Sequence, residues 1–421
     1  MRFFKILLRY LSLYLPRQIR SALFRKQLTI PLLDDEGVVI KIASEMEELD
    51  EAFKLLHESY VANNYMKKSE SKLRLVVYQS LPTTSVIIAK YKGKVIGTVS
   101  IIQDNFLNLP MDKCFNLDFL RKGKQHHIAE VSSLAIDRNT DLPKGAVLFA
   151  IVKYIMKYGL DFCHLDFLAI AVNPNMQYFY EDILLFKKIN SKTLKKYDFV
   201  NGASAVGLYL DLKNLKRVIK KVYQGKKDTK SLFHYYYGTN YSHICHYPKR
   251  EYAFYHDPCL NVDNLFHFFH KKGDLFNKLD LKTFTYILNS YGKFNLIFEN
   301  SEDSEGVNLF KRHHIRHKVK IEGRLIVDHE YKMTVQDISR GGLGIYIKDS
   351  EGMNFTNRFC ELTLSLQGID DCHIKIQVIH SQEPNFYGVI LLEGDKAWQE
   401  MIDYADSRYH LINHSDEKQA V

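Results

Sequence analysis

Two short runs near the C-terminal end carry the clearest chemistry. Lys311-Arg312-His-His-Ile-Arg316 sets two guanidinium groups four positions apart, and Asp337-Ile-Ser339-Arg-Gly-Gly342 follows with a carboxylate, a hydroxyl and paired glycines. Arginine can bridge phosphate oxygens through two parallel hydrogen bonds, chelate the O6/N7 edge of guanine, or stack on a base. A carboxylate accepts from N–H donors, and glycine lets a backbone turn tightly beside a ligand. The plainer alternative is a solvated basic stretch followed by an ordinary turn. His313, His314 and His317 add charge only when protonated. Farther upstream, His243-Ile-Cys245-His246 and His256-Asp-Pro-Cys259, with His267 and His270, raise zinc chemistry. Their spacings fit no standard four-ligand pattern, so no metal is expected.

The elements around these runs change character along the chain. Ile40 to Ile42 reads as a short strand, and the Ser44–Glu48 run opens a capped helix continuing through Leu49, Phe53, Leu56 and Tyr60. Thr84 to Lys90 and Val95 to Ile102 are strands joined by a Tyr-Lys-Gly-Lys hairpin signal. Val131 to Ile136 is a strand, Leu142 to Tyr158 a helix, and His164 to Val172 a strand. Asn173-Pro174 starts a helix through Ile183, and Ala205 to Leu210 closes this part. An antiparallel start followed by β-α-β-α-β implies a three-layer α+β domain. Lysine-rich 213–230 begins a helical connector with helical patterns around Leu265 and from Leu281 to Leu288, and acidic Asn300–Gly306 is a linker. Six period-two strands then follow: Val319 to Val327, Lys332 to Asp337, Leu343 to Ile347, Cys360 to Leu366, His373 to Ile379 and Tyr387 to Leu392. That spacing predicts a small β-barrel, with a trailing helix from Ala397 to Tyr409.

At 421 residues the chain suggests two or three domains, and its 46% hydrophobic content is enough for packed cores. There are 27 Tyr and 26 Phe against one Trp, and the formal charge is +9. That charge favours anionic partners without choosing among them. Six scattered cysteines suit reduced thiols in a cytosolic protein. The first residues carry Arg2, Lys5, Arg9, Arg17, Arg20, Arg25 and Lys26 with no acid before Asp34. The apolar run there is too short and charged to span a bilayer, and it lacks a signal-peptide cleavage site. It fits a basic amphipathic helix lying on an anionic membrane, or a helix packed on the protein's own core. Phe233-His-Tyr-Tyr-Tyr237 reads as packing, and no nucleic-acid partner is expected because no glycine-rich RNA-type strand accompanies it.

The RxxxR and DxSxxG runs, in order and in an all-β setting, resemble a PilZ domain over Phe310 to about Tyr409. The resemblance implies binding of the bacterial second messenger cyclic di-GMP. Arg312 and Arg316 would fold over an intercalated dimer of the nucleotide, Asp337 would accept from guanine N1 and N2, Ser339 would add a polar contact and Gly342 a close backbone approach.

A second resemblance covers about Ile40 to Asp211. Ser59-Tyr60-Val61 to Tyr65, Ala129-Glu130-Val-Ser132-Ser133-Leu134, and Val172-Asn173-Pro174 with Phe179-Tyr180 and Leu185-Phe186 are similar to the N-acyl amino acid synthase and autoinducer synthase branch of the GNAT fold. It implies transfer of a fatty acyl group from acyl-carrier protein or coenzyme A to an amine, with pantetheine lying between two splayed parallel strands. Glu130 would be the general base, with His126 or His127 as relay or replacement; a structural carboxylate is the alternative. Leu134, Ile136 and Asn173 would line the acyl-donor site, with amides near Leu134 holding the oxyanion. Two departures stand out: DRNTDLPKGAV replaces the usual phosphate loop, and Ser133 stands where this branch tends to carry arginine. The expected organisation is a basic leader 1–31, a GNAT-like domain 32–212, a connector 213–307, a PilZ-like domain 308–412 and a tail 413–421. The expected function is a cytoplasmic cyclic di-GMP-responsive N-acyltransferase, peripherally attached at the inner membrane face if the leader lies on lipid. The alternative is a non-catalytic cyclic di-GMP receptor with a degenerate GNAT-like platform.

Overall fold

The computed structural model describes residues 15–33, 37–122, 126–143, 145–189, 194–197, 201–249, 257–291, 317–348, 350, 353, 355, 358–365, 371–383 and 385–411. A helix, α1 (Arg17–Gln27), precedes β1 (Val38–Ile42), α2 (Met46–Ala62) and the hairpin of β2 (Thr84–Tyr91) and β3 (Lys94–Gln103). The expected hairpin turn is present: Lys92 and Gly93 both take positive φ, which matches the twist of the flanking strands. Glu48 fixes the start of α2 by accepting from the Ser44 amide at 3.1 Å, while its carboxylate pairs with Lys41 and Lys90 at 2.8 Å each.

A short helix, α3 (Asp118–Arg121), leads to β4 (Ile128–Ile136), α4 (Ala146–Lys157) and β5 (Phe167–Val172). Wide helical turns at Tyr158–Phe162 and Phe179–Ile183 stand at the ends of the two expected helices, and β5 starts three residues later than the alternation suggests. β6 (Lys187–Lys188), β7 (Leu194–Tyr197) and β8 (Ala203–Asp211) complete a mixed sheet ordered β1-β2-β3-β4-β5-β8-β6, with β7 on β8.

Alternation on β2 explains the layering. Val86 and Ile88 pack with Leu49 and Phe53 of α2, and Ile87 and Ala89 pack with Val147 and Ile151 of α4. The connector does more than join domains: among the described residues it completes both layers. α5 (Leu212–Val222), α6 (Leu232–Tyr237), Tyr241 and Ile244 join the α4 side; α7 (Val262–Phe266), Phe268, Phe269 and α8 (Leu281–Ser290) join the α2 side. The aromatic excess is spent here. Tyr154 stacks on Tyr247 with ring centres 4.4 Å apart, and Phe53 meets Phe268 edge-on at 5.3 Å.

The last part is formed by β9 (His317–Ile326), β10 (Glu330–Ser339), β11 (Gly342–Ile347), β12 (Phe359–Leu364), β13 (Cys372–Glu383) and β14 (Phe386–Gly394). They make a closed antiparallel barrel ordered β10-β11-β14-β13-β12-β9. α9 (Lys396–Leu411) closes one end with Trp398, Met401 and Ile402, each 2% exposed or less. This core is separate from the two layers of the mixed sheet. The whole is an α+β arrangement: a mixed sheet with helices on both faces, then a six-stranded barrel with a trailing helix.

Candidate active site

β4 and β5 run parallel but pair only from Ile128–Phe167 to Glu130–Ala169. Beyond Glu130 each strand keeps its outer partner, β4 holding β3 as far as Ile136 and β5 holding β8 as far as Val172. A wedge therefore opens directly after Glu130. Its two walls are strand edges whose N–H and C=O groups can hydrogen-bond an extended guest.

One extra residue on β4 shapes the wall. Pairing steps from Ser100–Ser132 to Thr98–Ala135, and Ser133 takes a φ of 57°. This bulge reverses the facing of the strand. Ala129 and Val131 face the α4 layer before it and Leu134 and Ile136 after it, while Ile128 and Ala135 face the α2 side. The Ser133 hydroxyl is buried, and among the described residues it has no hydrogen-bond partner. A buried polar group left over beside an open wedge points to a missing ligand contact.

Glu130 is 2% exposed, and one carboxylate oxygen accepts from the Met111 amide at 2.8 Å. Burial pushes its carboxyl up to about 8, and the nearby Asp112 charge adds to the effect against that hydrogen bond. The loop that supplies Met111 is pinned by Arg121, which donates to Asp104 at 2.7 Å and to Asp112 at 2.8 Å. On the same side lie Tyr78, raised to about 12 by burial and then by Glu130, and Tyr60, raised by burial against the Arg74 cation. The Arg74 guanidinium sits 4.0 Å over the Tyr60 ring, Tyr60 meets Tyr65 edge-on at 5.7 Å, and the Tyr65 hydroxyl accepts from Asn173 at 3.1 Å. This chain links the end of α2 to the end of β5 across the wedge.

Glu130, Leu134, Ile136 and Asn173 therefore lie along the wedge. Asn173 also caps the turn behind it by accepting from Asn175. The two histidines are engaged elsewhere. His126 Nδ1 bonds to the Leu120 carbonyl at 2.9 Å, and His127 Nε2 donates to Gln336 Oε1 of the barrel at 3.0 Å. Burial, and then Lys318, lowers His127 to about 4. Sequence reasoning missed Arg74 and Tyr78. The signal was an arginine inside the apolar run Leu73–Val77, where an unpartnered charge is costly.

In the barrel, Asp337, Ser339 and Gly342 surround the β10–β11 turn; Arg312 and Arg316 lie outside the described residues. Asp337 follows a bulge at Gln336, and its carboxylate lies where a Cβ on Gly344 would stand, 2.8–2.9 Å away. Ser339 donates to the Gly342 carbonyl at 3.1 Å. A Cβ on Gly342 would lie 2.3 Å from the Val389 carbonyl oxygen, so glycine is needed for strand approach. Among the described residues no cluster of three His, Cys, Asp or Glu side chains could hold a metal; His256 lies outside them.

Residues 51–211 match the family model described as N-acyl amino acid synthase FeeM. Among solved structures, FeeM, an N-acyl amino acid synthase from uncultured soil microbes, is 29% identical, covering 43% of this chain and 93% of its own, with a TM-score of 0.37. The AHL synthase LasI is 16% identical over 42% of this chain and 90% of its own, TM-score 0.33. A CoA-dependent acyl-homoserine lactone synthase, BjaI, solved with SAM and isopentyl-CoA, is 12% identical over 52% and 96%, TM-score 0.35. No curated protein matches the sequence. Over residues 51–211, then, the chain is similar to the family described as N-acyl amino acid synthase FeeM.

Proposed function

We propose that the wedge-bearing domain moves a fatty acyl group from a carrier-protein or coenzyme A thioester to the amine of an amino acid. We also propose that the barrel binds cyclic di-GMP and governs this transfer. The observation that carries the first part is the opening of β4 from β5 immediately beyond a buried, proton-holding carboxyl. A pantetheine arm would lie in the wedge and bring its thioester carbonyl to Glu130. The acceptor nitrogen attacks that carbonyl, Glu130 in its ionised form takes the nitrogen's proton, the C–S bond breaks, and the thiolate leaves to take up a proton. Backbone amides after the Ser133 bulge would face the developing oxyanion. The missing phosphate loop favours a carrier-protein donor over free coenzyme A.

The link to the barrel is the His127–Gln336 bond, one residue from Asp337 and directly before the strand that carries Glu130. Nucleotide held by Arg312, Arg316 and Asp337 would alter packing at that joint, which is the differential contact that regulation needs. The competing reading is a receptor without catalysis, favoured by the proton that Glu130 retains near neutrality.

Lipid extracts of cells overproducing the wild type and Glu130→Gln, compared by mass spectrometry, test the enzyme. A new N-acylated amine that vanishes in the variant is expected; its absence in the wild type would leave the receptor reading. Calorimetric titration with cyclic di-GMP tests the barrel. Arg312→Ala and Arg316→Ala should each weaken binding by on the order of 10-fold or more, and unchanged affinity in both would remove the nucleotide site.

A further inference from the structure

We infer that α1 and α5 together form a docking face for an anionic lipid bilayer. The inference stands apart from the acyl-transfer reading, because it rests on surface residues remote from the chemistry of Glu130. α5 is two-sided: Leu212, Leu215 and Ile219 are buried, and Tyr223 continues the stripe. The other side exposes Lys213, Lys216, Arg217, Lys220 and Lys221, and the turn beyond adds Lys226 and Lys227. No acid occurs between Leu212 and Lys227. Lys213 pairs with Asp166; among the described residues the other six have no carboxylate partner. Two of them rest on rings instead, Lys216 5.3 Å from the Tyr237 centre and Lys220 6.0 Å from that of Phe233.

α1 lies beside this face. Its inner side is anchored: Arg20 bonds Asp182 at 2.7 Å, Ser21 reaches the same carboxylate, and Arg25 donates to the Asp182 carbonyl at 2.8 Å. Its outer side exposes Ile19, Leu23 and Lys26, with Ile19 52% exposed. Lys230 donates to the Lys26 carbonyl at 2.9 Å and Ile30 to the Thr229 carbonyl at 2.8 Å, joining α1 to the segment after α5. Val218, Leu32 and Tyr237 add exposed apolar surface.

Cations alone would suit any anion. Cations mixed with outward Ile, Leu and Val suit a headgroup layer, where the charges meet phosphate and the apolar tips reach the acyl boundary. The sequence leading into α1, with Phe3, Phe4, Ile6, Leu7, Leu8 and Leu11 among Arg2, Lys5 and Arg9, continues the same chemistry. Among the described residues no helix is long and apolar enough to cross a membrane, so the mode is surface attachment.

Co-sedimentation of the full chain with phosphatidylcholine vesicles, with and without phosphatidylserine, tests this. Binding should require the anionic lipid and weaken with salt. The triple variant Lys216→Glu, Lys220→Glu, Lys221→Glu should lose on the order of 100-fold or more in affinity. Ile19→Ser with Leu23→Ser should leave a residual binding that is abolished at lower salt than wild type requires. Circular dichroism melts matching wild type verify that these surface variants fold. Failure to bind anionic vesicles overturns the inference, as does equal binding by the triple variant. Charge-dependent capture of an acidic acyl-carrier protein without any lipid binding would assign the face to protein instead.

Discussion

Glu130 holds a proton that the unfolded chain releases above about pH 4.5, because burial raises its carboxyl to about 8. The folded state thus binds more protons than the unfolded one between those values, and stability falls as pH rises through that window. Glu130→Gln removes the penalty. In urea titrations it should be more stable than wild type at pH 9, by about 2–4 kcal/mol, with a much smaller difference at pH 4. The same variant should lose on the order of 100-fold or more in kcat/KM. In wild type, kcat/KM should rise with pH through a limb near 8, as the carboxyl becomes able to accept a proton. A residue whose removal stabilises the fold while silencing the reaction is kept for chemistry. If Glu130→Gln is destabilised at high pH and fully active, the carboxyl is structural.

Among the elements, the β4 bulge is the most exacting. Ser133 sits at φ 57°, where a β-branched side chain is strained and glycine is at ease. Ser133→Val should cost about 1–3 kcal/mol in thermal or urea unfolding, and Ser133→Gly about nothing. Equal stability of the two would mean that the bulge relaxes. This feature also marks where reading the sequence stopped. The barrel strands were legible because one face packs on the core and the other meets water, so period two is written into residues such as Val319, Ile321 and Leu325. β2 and the hairpin were legible from turn chemistry. The wedge was expected only from the resemblance and not from the strand pattern, since the parting of β4 from β5 depends on which neighbours each strand keeps, and Ser132-Ser133 alternates like any strand. Arg74 and Tyr78 escaped because Arg74 meets the Tyr60 ring of α2, and Tyr78 comes near Glu130, only in the folded packing. His127 looked available from its position beside β4, and only the barrel accounts for its engagement.

At the scale of the molecule, the described bond between the two bodies is short and polar. His127 meets Gln336 with Lys318 and Lys320 nearby, and its backbone amide donates to Asp166. The imidazole is lowered from 6.5 to about 4, so the separated protein takes up a proton that the joined one refuses. The joint is at full strength above pH 6.5 and weakens as pH falls toward 4. Small-angle scattering should find a larger radius of gyration at pH 4.5 than at pH 7.5, with the increase reduced in His127→Asn. No change across that range would mean that other contacts hold the bodies together.

The 27 tyrosines spread through both bodies, yet the one tryptophan, Trp398, is buried where α9 closes the barrel. Light at 295 nm, absorbed by indole and scarcely by phenol, would therefore excite the barrel alone. Its emission gives an unlabelled optical gauge of that unit's melting and ligand response, while the mixed-sheet body stays dark.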